Sequence, residues 1–291
     1  MTQAAQLLSE QWPWFWPTVV FVFGACIGSF LNVCIYRIPA GKSIVRPGST
    51  CACGQPIAWY DNLPVLSWFF LRGKARCCKR AFGFRYPLVE ALTGGIFLAI
   101  SLLYPPLQAI PLWVFAALLL TGTFIDWDTM ELPDVVTVGG TVCGLVFSCV
   151  LPALHGQTGD IFLVNAIRGG LLGFTGALVG SGLIVWIREF GHVVFRREAM
   201  GLGDVVLMGC IGSFCGWQGA LFAVFGGSVV GAVVMIPWVL FQRLRHKGSE
   251  GIGETAVPFG PWLAAGAFIY VLGARAGVDA YFDNLKSLIF P

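Results

Sequence analysis

The chain has 291 residues, of which 57% are hydrophobic and only 11% charged, and its mean hydropathy is +0.78. Soluble domains carry roughly 45–50% apolar and about 25% charged residues, so the composition excludes a water-soluble globular protein and indicates a polytopic membrane protein. The net charge of +3 is small and lies in segments between apolar runs, which speaks for topology and contact with anionic lipid headgroups rather than nucleic-acid binding.

A bilayer core takes about 20 apolar residues per helix. Eight spans are expected, at about 14–36, 88–104, 111–126, 134–153, 165–187, 204–217, 219–241 and 259–274, the sixth being short. The fold class is all-α. Residues 1–13 lack the basic n-region of a removable signal peptide and the first apolar run outlasts an h-region, so the first span is expected to stay. Lys and Arg near membrane ends mark the cytoplasmic side. The segment after the first span carries Arg37, Lys42, Arg46, Arg72, Lys74, Arg76, Lys79, Arg80 and Arg85. Alternation puts Arg188, Arg196 and Arg197, then Arg243, Arg245 and Lys247, on that same side, and leaves Arg168, Arg275 and Lys286 for the other. The N-terminus is therefore expected outside. The tail after about 275, with "YFDNLKSLIF", reads as an interfacial amphipathic stretch.

The domain reading has three parts: 1–36 as N-terminal segment and first span, 37–87 as a small cytoplasmic domain, and 88–291 as the remaining membrane domain. Residues 37–87 are too few to build much of a core unaided. They contain four of the ten cysteines, Cys51, Cys53, Cys77 and Cys78, on the side that is reducing. Metal binding is there favoured over disulfide formation, and zinc held by four thiolates is expected. The spacing departs from a knuckle with two residues between cysteines: one pair has a one-residue gap and the other none. Cys26, Cys34, Cys143, Cys149, Cys210 and Cys215 lie in or near apolar runs and read as small buried hydrophobes.

Ionisable groups where a helix meets the membrane are costly and usually functional. "TGTFIDWDTMELPDVV" closes the third span with Asp126, followed by Asp128, Glu131 and Asp134, and "EAMGLGDVVLMGC" opens the sixth with Asp204. Alternation puts Asp126 and Asp204 at the same membrane face, so they can be neighbours. Two carboxylates at short range favour one shared proton: one activates water while the other polarises a carbonyl. Peptide hydrolysis by an aspartyl dyad is the chemistry this supports. Gly201 and Gly203 are expected to let a substrate backbone approach and to adopt dihedrals closed to other residues, and a helix start supplies free N–H groups for the ionised partner. The plainer reading makes Asp204 an N-cap, and makes Asp128 and Asp134 caps of the turn into the fourth span with Pro133 fixing the bend. For Asp128 and Asp134 that plainer reading is kept.

Six strings then carry a resemblance: "GSFLNVCIYRIP" at 28–39, "DNLPVLSW" at 61–68, "RYPLVEALTG" at 85–94, "IDWDTMELPD" at 125–134, "GLGD" at 201–204 and "PFGP" at 258–261. In this order the chain resembles the type IV prepilin peptidase family of bacterial inner membranes. The resemblance implies a bifunctional enzyme, which cuts the short basic leader from prepilins and type II secretion pseudopilins after a glycine. It then methylates the new N-terminal amine, often of phenylalanine, with S-adenosylmethionine. It places the catalytic aspartates on Asp126 and Asp204, the N-terminus in the periplasm and the active site at the cytoplasmic face. Longer family members have two Cys-x-x-Cys pairs, which map near Cys51, Cys53, Cys77 and Cys78; here the first pair is one residue short and Ala75 stands where the third cysteine is expected. No Gly-rich nucleotide loop after a strand is visible, so methyl-donor binding rests on the resemblance. A peptidase-only intramembrane aspartyl protease, a transporter or proton channel using the carboxylates as a relay, and a nonenzymatic scaffold are the other readings. The gathering of carboxylates at one face counts against a relay across the membrane.

Overall fold

The computed structural model describes residues 12–51, 53–196, 200–245 and 258–289. Arg197 and Lys247, used above for orientation, and residues 1–11 of the segment read for a signal peptide lie outside them. The described residues are helical, with only two isolated antiparallel bridges, Thr50 with Pro56 and Lys74 with Ala81. By packing the chain divides into two compact units, Met1–Thr121 and Gly122–Pro291.

The first unit holds α1 (Phe15–Arg37), the short α2 (Leu66–Phe70), α3 (Arg85–Leu103) and the larger part of α4 (Pro106–Thr129). Apolar runs make α1 and α3 helices of membrane length, and Pro105 marks the turn into α4. Phe97 of α3 stacks on Trp113 of α4 with ring centroids 5.3 Å apart, and Phe23 of α1 closes on both rings. Between α1 and α3, Arg37 folds the chain back by donating to the carbonyls of Ser43, Pro47 and Gly48. Arg76 grips Asp61 through Nε and Nη2 at 2.8–3.1 Å, and the guanidinium holds the Asp61 carboxyl below its usual range.

The second unit holds the end of α4, α5 (Asp134–Val150), α6 (Phe162–Phe195), α7 (Leu202–Arg245) and α8 (Gly260–Ile269). A π-helical stretch, Tyr270–Ala274, continues α8 into α9 (Arg275–Ile289). The 44 residues of α7 would run about 66 Å at 1.5 Å per residue, twice a bilayer core of about 30 Å. The run is broken at Gly216, whose φ of 70° and ψ of 179° belong to a region open only to glycine. The break falls one residue before the end of the sixth expected span, 204–217, close to where the seventh was expected to begin. Among the described residues six helices are long and apolar enough to cross a membrane, and α5 is shorter but apolar; counting α7 as two crossings gives the eight expected.

A buried polar cluster secures the break. Carbonyls freed there need partners in a lipid setting, and Ser148 Oγ lies 3.1 Å from the Ser213 carbonyl and 2.9 Å from Nε2 of His155. Arg275 Nη2 donates to the Leu154 carbonyl at 2.7 Å. Burial, with the Arg275 charge, pushes His155 down to about 4, so the ring is neutral.

Large apolar side chains such as Leu171, Trp186, Phe225, Val229, Val233 and Ile236 are exposed on the outer faces of α6 and α7, where they present a surface to hydrocarbon rather than water. Cys34, Cys210 and Cys215 are buried as expected, and Cys143 is half-buried. Cys26 and Cys149 are exposed instead, because they fall on outward helix faces, where apolar sequence does not mean burial in protein. None of the residues of α9 is buried, and its apolar and polar residues fall on opposite faces, as expected of an interfacial helix.

Candidate active site

Asp126 lies in the last turn of α4, where Met130 adopts φ 55° and returns its N–H to the Asp126 carbonyl, ending the helix. Asp204 is the third residue of α7, in its first turn. Both carboxylates are withdrawn from solvent, with residue exposures of 5% and 8%, and they are close enough to interact electrostatically. The neighbouring acids Asp128, Glu131 and Asp134 are exposed. Asp134 does not cap α5: Pro133 holds the N-cap position without a side-chain cap bond, and Asp134 stands inside the first turn, where its charge favours the helix dipole. Asp128 is still within α4.

Two amides serve the pair: the Gly201 backbone bonds Asp204, and the amide on Asp126 comes from a third helix. Gly260 N–H, the first residue of α8, donates to Asp126 Oδ2 at 3.1 Å. A Cβ at Gly260 would stand 2.6 Å from that same oxygen, so only glycine admits the contact. This accounts for "PFGP", which carried the resemblance without a role. Its signal in the sequence is a glycine-proline start of a helix, yet nothing along the chain says which carboxylate that start faces.

Leu132 is the packing element under the pair. Its side chain lies 3.0–3.4 Å from where a Cβ would sit on Gly122 of α4, Gly203 of α7 and Gly260 of α8. Gly203 therefore packs against Leu132 rather than offering itself to substrate. Neither Gly201 nor Gly203 has a positive φ, so the expected special dihedrals are not used. A Cβ on Gly201 would meet nothing closer than 3.8 Å, which makes it the open one of the two.

The four cysteines of the first unit also meet. Two tight turns, one closed by Cys51 N–H to the Gln55 carbonyl and the other by Ala75 N–H to the Arg80 carbonyl, carry the pairs at their tips. Sγ of Cys51 lies 3.6 Å from that of Cys78, Cys53 lies 3.4 Å from Cys77, and all four sulfurs are within 4.8 Å of one another. A tetrahedron with metal–sulfur bonds of ~2.3 Å has edges of about 3.8 Å. The donor set and its spacing therefore fit zinc despite the irregular sequence gaps, because each turn faces its partners across the cluster rather than along the chain. The thiols act on one another: the Cys53 backbone amide, followed by the thiols of Cys77 and Cys78, draws Cys51 down to about 7, while Cys77 is pushed up to about 12, chiefly by Cys51.

A third convergence has no counterpart in the sequence reading. Glu90 of α3 accepts the N–H of Val65 at 2.7 Å, Asn32 Nδ2 donates to the Tyr86 carbonyl at 3.1 Å, and Gly28 of α1 faces the Glu90 Cα. Val65 has φ 62° and ψ −52°, a strained conformation for a β-branched residue. Three of the six strings thus gather at Glu90 in the first unit, while the other three surround Asp126 in the second. The signal in the sequence is a carboxylate within an apolar run, but without the second carboxylate that makes a dyad stand out.

A helical membrane protein with a withdrawn pair of aspartates at helix ends, one of them held by a third helix's amide, is the class that fold and site define. The chain belongs to the type IV leader peptidase family: residues 113–236 match the profile described as "Type IV leader peptidase family", and residues 22–104 match "Bacterial Peptidase A24 N-terminal domain". Among curated relatives, the prepilin leader peptidase/N-methyltransferase of Aeromonas hydrophila is 32% identical over 95% of this chain and 97% of its own length. That of Dickeya chrysanthemi is 34% identical over 92% and 97%. That of Myxococcus xanthus is 40% identical over 76% of this chain and 62% of its own length. No solved structure matches.

Proposed function

We propose that this protein cleaves the leader peptide of type IV prepilins and methylates the new N-terminus. The observation that carries the peptidase reading is the burial of both Asp126 and Asp204 at helix ends that share Leu132, with the Gly260 amide on Asp126. The pair shares one proton. One carboxylate takes a proton from water as its oxygen attacks the scissile carbonyl, and the other gives its proton to the carbonyl oxygen, forming a tetrahedral intermediate. Collapse breaks the C–N bond, the leaving amine takes a proton, and the dyad returns to its shared-proton state without an acyl-enzyme. The substrate's apolar helix lies in the membrane, and its basic leader stays on the side of Asp128, Glu131 and Asp134.

S-adenosylmethionine is the methyl donor, whose sulfonium methyl passes to the neutral amine. We place that activity in the first unit, where the strings around Glu90 are not needed for the dyad. Residues 37–87 form the cysteine domain, with Cys51, Cys53, Cys77 and Cys78 holding zinc as a structural clamp on the two turns, and the dyad belongs to 88–291. The basic residues of 37–87 support a periplasmic N-terminus and a dyad at the cytoplasmic face, and the family resemblance supports the cell inner membrane; pseudopilins are further substrates of the same form.

The test is cleavage of full-length prepilin in detergent by Asp126→Asn and Asp204→Asn, read as a size shift. Both are expected to be inactive, and retained cleavage by either sinks the dyad. Methyl transfer is measured separately, from labelled S-adenosylmethionine to cleaved pilin.

A further inference from the structure

A threonine inside a helix ordinarily turns its hydroxyl back to the carbonyl four residues earlier. Every other helical threonine among the described residues does so, including Thr121 and Thr129 of α4 on either side of Asp126. Thr123 does not. Its Oγ1 is buried and has no hydrogen-bond partner. A buried polar atom left unpaired is costly, and an exception in a native structure calls for a missing partner. The exception here is one turn from the dyad.

Position says what that partner is. Thr123 precedes Asp126 by three residues in a helix that ends at Thr129, so it lies about 4.5 Å further towards the middle of the bilayer. A membrane-anchored substrate cut at the dyad continues into the bilayer on that side. The residues just past the scissile bond begin its apolar helix, and the first N–H groups of a helix have no partner of their own. In a lipid setting such groups must be satisfied by protein.

We propose that Thr123 is a substrate-positioning residue: the entering substrate helix displaces the side chains that cover its unpaired hydroxyl, which then accepts a backbone N–H of the substrate on the membrane side of the scissile bond. The proposal rests on the dyad reading and deepens it. It explains why a hydroxyl is left unpaired where valine would fill the same space at no polar cost.

Thr123→Val and Thr123→Ser are compared with the unmodified protein on full-length prepilin in detergent, alongside Asp126→Asn. Thr123→Val is expected to lower kcat/KM about tenfold, the scale of one lost hydrogen bond made to the bound substrate, with a melting temperature equal or higher. Thr123→Ser is expected to restore cleavage to within about threefold. Wild-type cleavage by Thr123→Val overturns the proposal, as does a loss shared by the serine variant or accompanied by lowered melting, which marks a packing role. Cleavage by Asp126→Asn sinks the dyad reading itself; an inactive Asp126→Asn beside a fully active Thr123→Val sinks only the role of Thr123.

Discussion

At the residue scale, the contact between Asp126 and α8 leaves no room for a side chain. Gly260→Ala puts a methyl 2.6 Å from Asp126 Oδ2, closer than any real contact, so the carboxylate or the amide must give way and their hydrogen bond is disturbed. Cleavage is expected to fall about 100-fold, the scale of losing one preorganised donor at a charged site. Gly201→Ala, with its nearest neighbour at 3.8 Å, is expected to cleave within about threefold of wild type. Prepilin cleavage rates of the two variants check this, and equal losses would contradict it. The aspartates themselves were legible in the sequence, because a carboxylate at the end of an apolar run stands out. Gly260 and Leu132 were not, since a glycine and a leucine among so many acquire meaning only once three helix ends meet.

At the scale of elements, the break in α7 depends on Gly216 and on the polar groups gathered around it. Gly216→Ala forces a side chain into a backbone region that costs of order 1–3 kcal/mol, and a lowered melting temperature in detergent is expected. His155 adds a pH dependence of definite sign. Its folded value near 4 lies below the ordinary 6.5, so the unfolded chain binds the proton more readily. The contribution is complete above about 6.5 and is lost as pH falls towards 4, up to roughly 3 kcal/mol. Melting temperatures between those limits should fall with pH more steeply in wild type than in His155→Asn; parallel slopes would show that His155 is not the source. Helix existence and a break close to the junction of the sixth and seventh spans were readable from hydropathy alone. What closes the break was not, because Ser148, His155 and Ser213 are joined by packing and share no sequence pattern.

The proposed division of the two activities between the units is tested at the same scale. Glu90 holds the strained Val65 while the dyad lies in the other unit. Glu90→Gln removes the charge but keeps the shape. It is expected to leave prepilin cleavage near wild type and to lower methyl transfer at least tenfold, about 1.4 kcal/mol of barrier. Labelled-methyl incorporation into pre-cleaved pilin reads this without cleavage intervening. Unaffected transfer would move the second activity away from Glu90.

For the whole molecule, the proposed zinc clamp is the feature to test. The four sulfurs already lie within 4.8 Å of one another, so purified protein is expected to hold about one zinc per chain, and Cys51→Ser or Cys78→Ser to lose it. The irregular gaps in the sequence argued against such a site only because spacing along the chain is a proxy for geometry. Here Cys51 meets Cys78 and Cys53 meets Cys77 across two turns, and no count of intervening residues reports that. The apolar spans, in contrast, could be read directly, since long apolar runs are a property of composition.

The central claim is that Asp126 and Asp204 act as one unit. The most direct measurement is the cleavage rate of full-length prepilin by Asp126→Asn, Asp204→Asn and the double variant, at matched folding. Each single substitution is expected to abolish cleavage and the double variant to be no worse, since residues sharing one proton lose their function together. Substantial cleavage by either single variant, or a loss that accumulates stepwise, would contradict it.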